Sequence, residues 1–218
     1  DWSQIYNTVF ITNVVLDNID KIDKNIGNTT DWNNAKGSAL LLRSKAFFQA
    51  ADIWCGPYKA ATAGATPGIP LRTNEDFNIT SVRSSLKETY VEITRGLKEA
   101  ATLLPVTPIH VMRPSRPAVY ALLARAYMAM GLYDSCRVYA DACLQLRNTL
   151  LDYNSVNATA AYPISRFNTE VIMESMIPIP RILSITMAKI DSVLYTSYAS
   201  NDLRKTIFFR NNNNGTYG

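Results

Sequence analysis

Apolar positions recur along most of the chain at spacings of three, four and seven, which predicts helices that each bury one stripe. In the first 24 residues the stripe is Trp2, Ile5, Tyr6, Val9, Leu16 and Ile19. A second helix is expected over about 34–54, through Ala39, Leu42, Ala46, Phe47, Ala50 and Ile53. It stops at Cys55-Gly56-Pro57, where Gly suits the position after a helix and Pro forbids continuation. A third helix covers about 84–104, with Leu86, Tyr90, Ile93, Leu97 and Ala100 in line before Pro105 and Pro108 end it. Arg113-Pro114-Ser115-Arg116-Pro117 is a start signal with Pro near the first turn. Helices over about 117–130 and 133–147, parted by Gly131, form a helical hairpin. A last helix is expected at about 186–199, with Met187, Ile190, Leu194 and Tyr198 on one face.

The intervening segments are polar or broken. Asn25 to Asn34 is a turn cluster rich in Asn, Thr and Gly, and residues 56–80 form a long loop with six Gly and Pro. A loop of that length inside a compact domain is usually functional or mobile. Glu170 to Met176, led by branched residues and followed by Pro178 and Pro180, predicts a short strand. The class is therefore mainly all-α, a single helical domain over 1–218 with short strand or irregular additions.

Residues 117–150 fit one tetratricopeptide-like unit. Tyr120, Leu123, Ala124 and Tyr127 meet its first-helix pattern, Gly131 and Tyr133 its turn, and Cys136 and Cys143 its close helix approach. Ala140 and Asn148 depart from it, where a larger residue and Pro are usual. A second unit spans about 37–105, its halves separated by the 56–80 insertion. Two units fall short of the three or more that a repeat array needs, so something else completes the core.

Charged residues make up 18% of the chain, below the ~25% usual for soluble domains, and Asn, Thr and Ser carry much of the polar surface. That balance suits an extracytoplasmic surface. The net charge is +4, and the 22 Lys and Arg are scattered rather than clustered, which argues against nucleic acid as a partner. Three cysteines, Cys55, Cys136 and Cys143, make no complete disulfide framework and show no metal-ligand spacing. No stretch of 18 apolar residues occurs, so nothing here is expected to span a membrane. Both ends read as cut from a longer chain.

Catalytic chemistry finds little footing. His110 is the only histidine and sits in a proline-flanked loop, which leaves Ser-His-Asp, Cys-His and His-based metal sites bare. Glu170 and Glu174 are a carboxylate pair of the kind a glycosidase needs, but on a strand their even spacing turns both to one solvent face. Gly64 and Gly68 fit neither phosphate-loop pattern, so no cofactor is expected. Sequons at Asn28, Asn78, Asn157 and Asn214 are read as chance in a chain rich in Asn and Thr. Sugars bind by stacking on exposed aromatic faces backed by amide and Arg hydrogen bonds. Trp32 beside Asn33 and Asn34, and Tyr58 with Arg72 and Asn74 in the long loop, offer that chemistry. These four (Trp32, Tyr58, Arg72, Asn74) are the candidate ligand residues, whereas Trp54, ending an apolar stripe, reads as packing.

Four ordered stretches resemble the SusD/RagB family. Trp2, Tyr6, Val9 and Asn13 match its opening W-x-x-x-Y-x-x-I-x-x-x-N helix. Gly37-Ser38-Ala39-Leu40-Leu41-Leu42-Arg43, Phe47-Phe48 and Trp54-Cys55-Gly56 resemble G-E-A-x-F-L-R-A-x-x-Y-F…W-G, with Ser38 in place of Glu and Cys55 interrupting the Trp-Gly pair. Gly68-Ile69-Pro70-Leu71, then Arg83, Tyr90 and Leu97 to Pro105, resemble the G-x-P-L loop and the helix after it. Arg116, Ala118 to Tyr127 and Tyr133 resemble R-x-x-x-A-A-x-A-L-L-A-R-x-Y-L…Y, and Tyr195 to Asp202-Leu203-Arg204 a later Y…D-x-R segment. The resemblance covers about residues 2–209.

It implies a non-enzymatic lipoprotein at the outer-membrane surface that captures an oligosaccharide or polysaccharide, or a peptide, for a TonB-dependent, SusC-like transporter. Membrane association would run through a lipid anchor that these residues do not include. A tetratricopeptide-like scaffold for protein–protein interaction is the rival expectation.

Overall fold

A computed structural model of the protein describes residues 2–176, 188–212 and 214–218. Two compact units divide the chain, Asp1–Asn148 and Thr149–Gly218.

The first unit is a succession of antiparallel helices, α1 (Trp2–Ile19), α2 (Thr29–Trp54), α3 (Leu86–Leu103), α4 (Arg116–Ala129) and α5 (Tyr133–Leu146). Each packs on the next, and α2 also meets α4. Local signals bound several of them. Ser85 and Glu88 close a reciprocal capping box at the start of α3. The Ser115 hydroxyl accepts from the Ala118 amide at α4, with Pro117 in the first turn. Gly131, at φ +71°, supplies the left-handed residue that turns α4 into α5. Phe47, Leu41, Ile69, Leu86, Ile93, Leu97, Leu104, Leu123, Val9 and Val119 are fully buried and make up the core.

Two features differ from expectation in this unit. Helix α2 begins at Thr29, inside the segment read as turns. The cause is tertiary: the Trp32 indole N–H donates to the Ile19 carbonyl at 3.1 Å, tying the polar first turns of α2 to the last turn of α1. The 56–80 segment is also not structureless. Pro67–Pro70 forms β1, which pairs antiparallel with β2, Arg83–Ser85, in register Pro67 to Ser85 and Pro70 to Arg83. This small ribbon lies against α2 and α3, with Ile69 fully buried.

The second unit holds a single 3₁₀ turn at Tyr153–Ser155 and two short helices among its described residues, α6 (Ser192–Ser197) and α7 (Leu203–Ile207). Helix α6 is shorter than the expected 186–199; residues 186 and 187 lie outside the described residues, and Lys189 to Asp191 are not helical. The strand expected at Glu170–Met176 is absent from its described residues. Asn168 bends the chain instead, its Oδ1 accepting from the Glu170 amide and its carbonyl from that of Val171. Branched residues favour a strand only where a neighbour completes the ladder. Tyr195 stacks on Tyr217 at 3.6 Å, with Phe209 edge-on and the Lys205 ammonium 4.7 Å from the Tyr195 ring. Backbone bonds between Arg210 and Gly218 close the C-terminal segment into a hairpin.

Candidate functional site: an aromatic recess beside the 72–81 loop

Positions 2, 6 and 10 fall four apart on α1, so Trp2, Tyr6 and Phe10 share one flank of the helix. Trp2 stacks on Tyr6 at 4.7 Å, and Trp54 from the end of α2 meets Trp2 edge-on at 4.4 Å. Phe77, arriving from the loop after β1, packs against Phe10 at 4.6 Å. Between helix and loop lies a recess of about 330 Å³, lined by Trp2, Tyr6, Phe10 and Phe77 with Val9, Asn13, Arg72, Asn74, Glu75 and Ser81. Trp2 is 39% exposed and Phe77 75%, so part of each ring is open to solvent.

The loop is held against the helix by polar contacts that reach far along the chain. Tyr6 donates its hydroxyl to the Pro70 carbonyl at 2.6 Å. The Asn13 amide donates to the carbonyls of Arg72 at 3.0 Å and Asn74 at 2.8 Å. The Glu75 amide donates to Asp17 Oδ2 at 2.8 Å. Arg72 turns its guanidinium back into its own loop, donating to the Ile79 and Asp76 carbonyls and to Ser81 Oγ. Burial raises the Tyr6 hydroxyl well above the usual tyrosine range, with Cys55 adding to the effect and Arg83 opposing it.

Of the four candidate ligand residues, the structure brings Arg72 and Asn74 into this recess and places Trp32 and Tyr58 elsewhere. Trp32 is engaged in the α1–α2 junction, with the Lys24 and Lys36 ammoniums 4.6 and 5.0 Å from its ring. Tyr58 sits half-buried, edge-on to Tyr90 at 5.2 Å. Trp54, read as packing, is part-exposed at the rim of the Trp2 stack. Phe10 and Phe77 are not among the sequence candidates: the four-residue aromatic spacing on α1 is a usable signal for Phe10, but nothing local marks Phe77.

The other sequence candidates are otherwise occupied. Glu170 accepts from the Leu151 amide at 2.8 Å, and Glu174 pairs with Arg166, so the two carboxylates serve separate contacts. His110 Nδ1 accepts from the Met112 amide in an exposed loop. Cys143 is buried in the α4–α5 interface with its sulfur 3.3 Å from the Pro117 carbonyl. No helix among the described residues is long and apolar enough to cross a membrane.

An aromatic-lined hollow with a few convergent polar groups is the usual form of a small-ligand site. Rings exposed on one face also suit the apolar faces of sugar rings.

Comparison with known proteins agrees with the helical scaffold. A family described as "Starch-binding associating with outer membrane", a SusD-like family, matches residues 1–128. A SusD-like carbohydrate-binding protein from Bacteroides vulgatus ATCC 8482 superposes with a TM-score of 0.62 at 26% identity, over 72% of this chain and 33% of that one. A SusD superfamily protein from Bacteroides thetaiotaomicron VPI-5482 gives 0.64 at 24% identity, over 70% and 34%. A laminarin-binding SusD-like protein shares the fold at 19% identity, with a TM-score of 0.60 over 79% and 36%. The chain thus spans about a third of the length of these solved structures. No curated protein matches it significantly. With the family model covering more than half its length, the chain belongs to the SusD-like family.

Proposed function

We propose that the chain is part of an outer-membrane surface protein that captures glycans without transforming them and hands them to a TonB-dependent, SusC-like transporter. The observation that carries this reading is the recess itself, where Trp2, Tyr6, Phe10 and Phe77 present rings beside the Arg72–Ser81 loop. Family membership supports a carbohydrate ligand, and a laminarin-binding protein of the same fold supports a β-glucan as one probe. In this reading Arg72 shapes the site from within its loop, Asn74 and Glu75 supply polar contacts, and Trp32 and Tyr58 belong to the scaffold. Attachment at the cell surface would run through a lipid anchor. Val138 and Leu144, exposed on α5, favour the protein-scaffold reading as an alternative, in which the helices dock a protein.

The test is affinity electrophoresis through gels containing starch or laminarin, with a casein gel for peptide capture. Retardation by a glucan that is lost in Phe77→Ala supports glycan capture at the recess. Free migration in every glycan gel sinks it and leaves the peptide and scaffold readings.

A further inference from the structure

The opening pattern of α1 ends on Asn13 and the pattern of α2 leads to Arg43, two residues that the recess geometry joins. Arg43 is 5% exposed and Asn13 1% exposed. Arg43 Nη1 donates to Asn13 Oδ1 at 2.9 Å and to the Thr73 carbonyl at 3.3 Å, while Nη2 faces Glu92 Oε1 at 3.5 Å. Glu92 is shared with Arg95, which also reaches Glu99. A guanidinium has only donors, so the oxygen of Asn13 must face Arg43 and its NH₂ must face away. Both amide hydrogens then meet loop carbonyls, those of Arg72 and Asn74. A half-satisfied buried polar network is costly, so loop and clamp stand or fall together.

We infer that Asn13, held in one orientation by Arg43, is a positioning residue of the recess: it fixes the 72–76 loop in its ligand-ready shape before any ligand arrives. This rests on the reading of the recess as a glycan site. Asp17, which accepts from the Glu75 amide one turn further along α1, is the second point of the clamp. A preformed loop spares the ligand the ordering cost it would otherwise meet. Without the Arg43 donor the Asn13 amide could turn over, setting its oxygen against two carbonyl oxygens.

The decisive variant is Asn13→Asp, which keeps shape and an acceptor for Arg43 but sets a second oxygen against the Arg72 and Asn74 carbonyls. Asp17→Ala removes the Glu75 contact and a carboxylate charge that acts on Arg43, leaves the Asn13 bonds in place, and serves should Asn13→Asp fail to fold. Amide hydrogen exchange and retardation by laminarin and starch are measured on the whole chain. The expected result is exchange at Thr73 to Asp76 faster by tenfold or more, unchanged exchange in α3 and α4, and glucan affinity at least fivefold weaker. Unchanged loop exchange overturns the inference. So does fast loop exchange with undiminished affinity, and in that case the recess remains a glycan site. Wild-type chain that binds neither glucan removes the proposed function, and the positioning role falls with it.

Discussion

The backbone at Gly68 passes so close to Thr89 that a Cβ there would lie 2.2 Å from the Thr89 hydroxyl oxygen and 2.5 Å from the Ser85 carbonyl oxygen. That hydroxyl is the hinge of the β1–α3 junction. It accepts from the Ile69 amide at 3.2 Å, lies 2.9 Å from Ser84 Oγ and donates to the Ser85 carbonyl at 3.0 Å. The ribbon that launches the recess loop is seated by this contact.

Gly68→Ala is therefore expected to destabilise the first unit by about 1–3 kcal/mol, the usual cost of overfilling a packed site whose neighbours are backbone. Urea unfolding followed by tryptophan fluorescence measures it. A midpoint unchanged from wild type would mean that the ribbon shifts freely.

The capping box at α3 makes a second prediction. Ser85→Ala removes a hydroxyl that accepts from the Glu88 amide and should cost about 1 kcal/mol. Glu88 is held below the usual carboxylate range by its bonds to the Ser85 backbone and side chain. Its contribution is present above the unfolded pKa and is lost as pH falls through the folded one. The stability gap between wild type and Ser85→Ala should accordingly narrow under acid conditions, as read by thermal melts from pH 7 down to pH 3.

Alkali should act through Tyr90. Burial, with Asp52, Cys55 and Tyr58 adding to it, pushes its hydroxyl from 10.0 up to about 12. The unfolded chain then releases this proton first, so stability is full below pH 10 and is lost as pH rises through about 12. Tyr90→Phe should show a shallower fall of the urea midpoint across that window; an identical fall would assign the alkaline loss to other groups.

Trp32 offers a clean separation of scaffold from site. Trp32→Phe keeps a ring but removes the donor to Ile19, and a lost hydrogen bond of this kind costs about 0.5–1.5 kcal/mol, with more if the carbonyl is left unpaired. Glucan retardation should match wild type at a temperature where both are folded. Lost retardation with an unchanged melting temperature would return Trp32 to the list of ligand contacts.

Much of the scaffold was legible because its signals are local. The stripe Leu86–Tyr90–Ile93–Leu97, the start signal through Pro117 and Gly131 each act within a few residues, and α3, α4 and α5 lie within a residue or two of expectation. What escaped depends on partners distant in sequence. The first turns of α2 are polar and become helical against Ile19. Strand β1, with Pro67, Gly68 and Pro70, runs against strand propensity and exists because β2 and Thr89 receive it. Glu170–Met176 had strand chemistry but finds no ladder to join among the described residues. The recess shows the same division. Arg72 and Asn74 were visible as sugar-type chemistry in a long loop, whereas Phe77 acquires meaning only where tertiary packing sets it beside Phe10.

The ties that close the recess span long stretches of chain, 64 residues from Tyr6 to Pro70 and 59 from Asn13 to Arg72. Translation runs from the N-terminus at ~5–20 residues per second, so a nascent α1 waits on the order of 3–13 s for its loop to leave the ribosome. Throughout that interval Trp2, Tyr6 and Phe10 face water or whatever chaperone is at hand. The stripe that lines the recess of the finished protein is, during its birth, an apolar surface still without its cover.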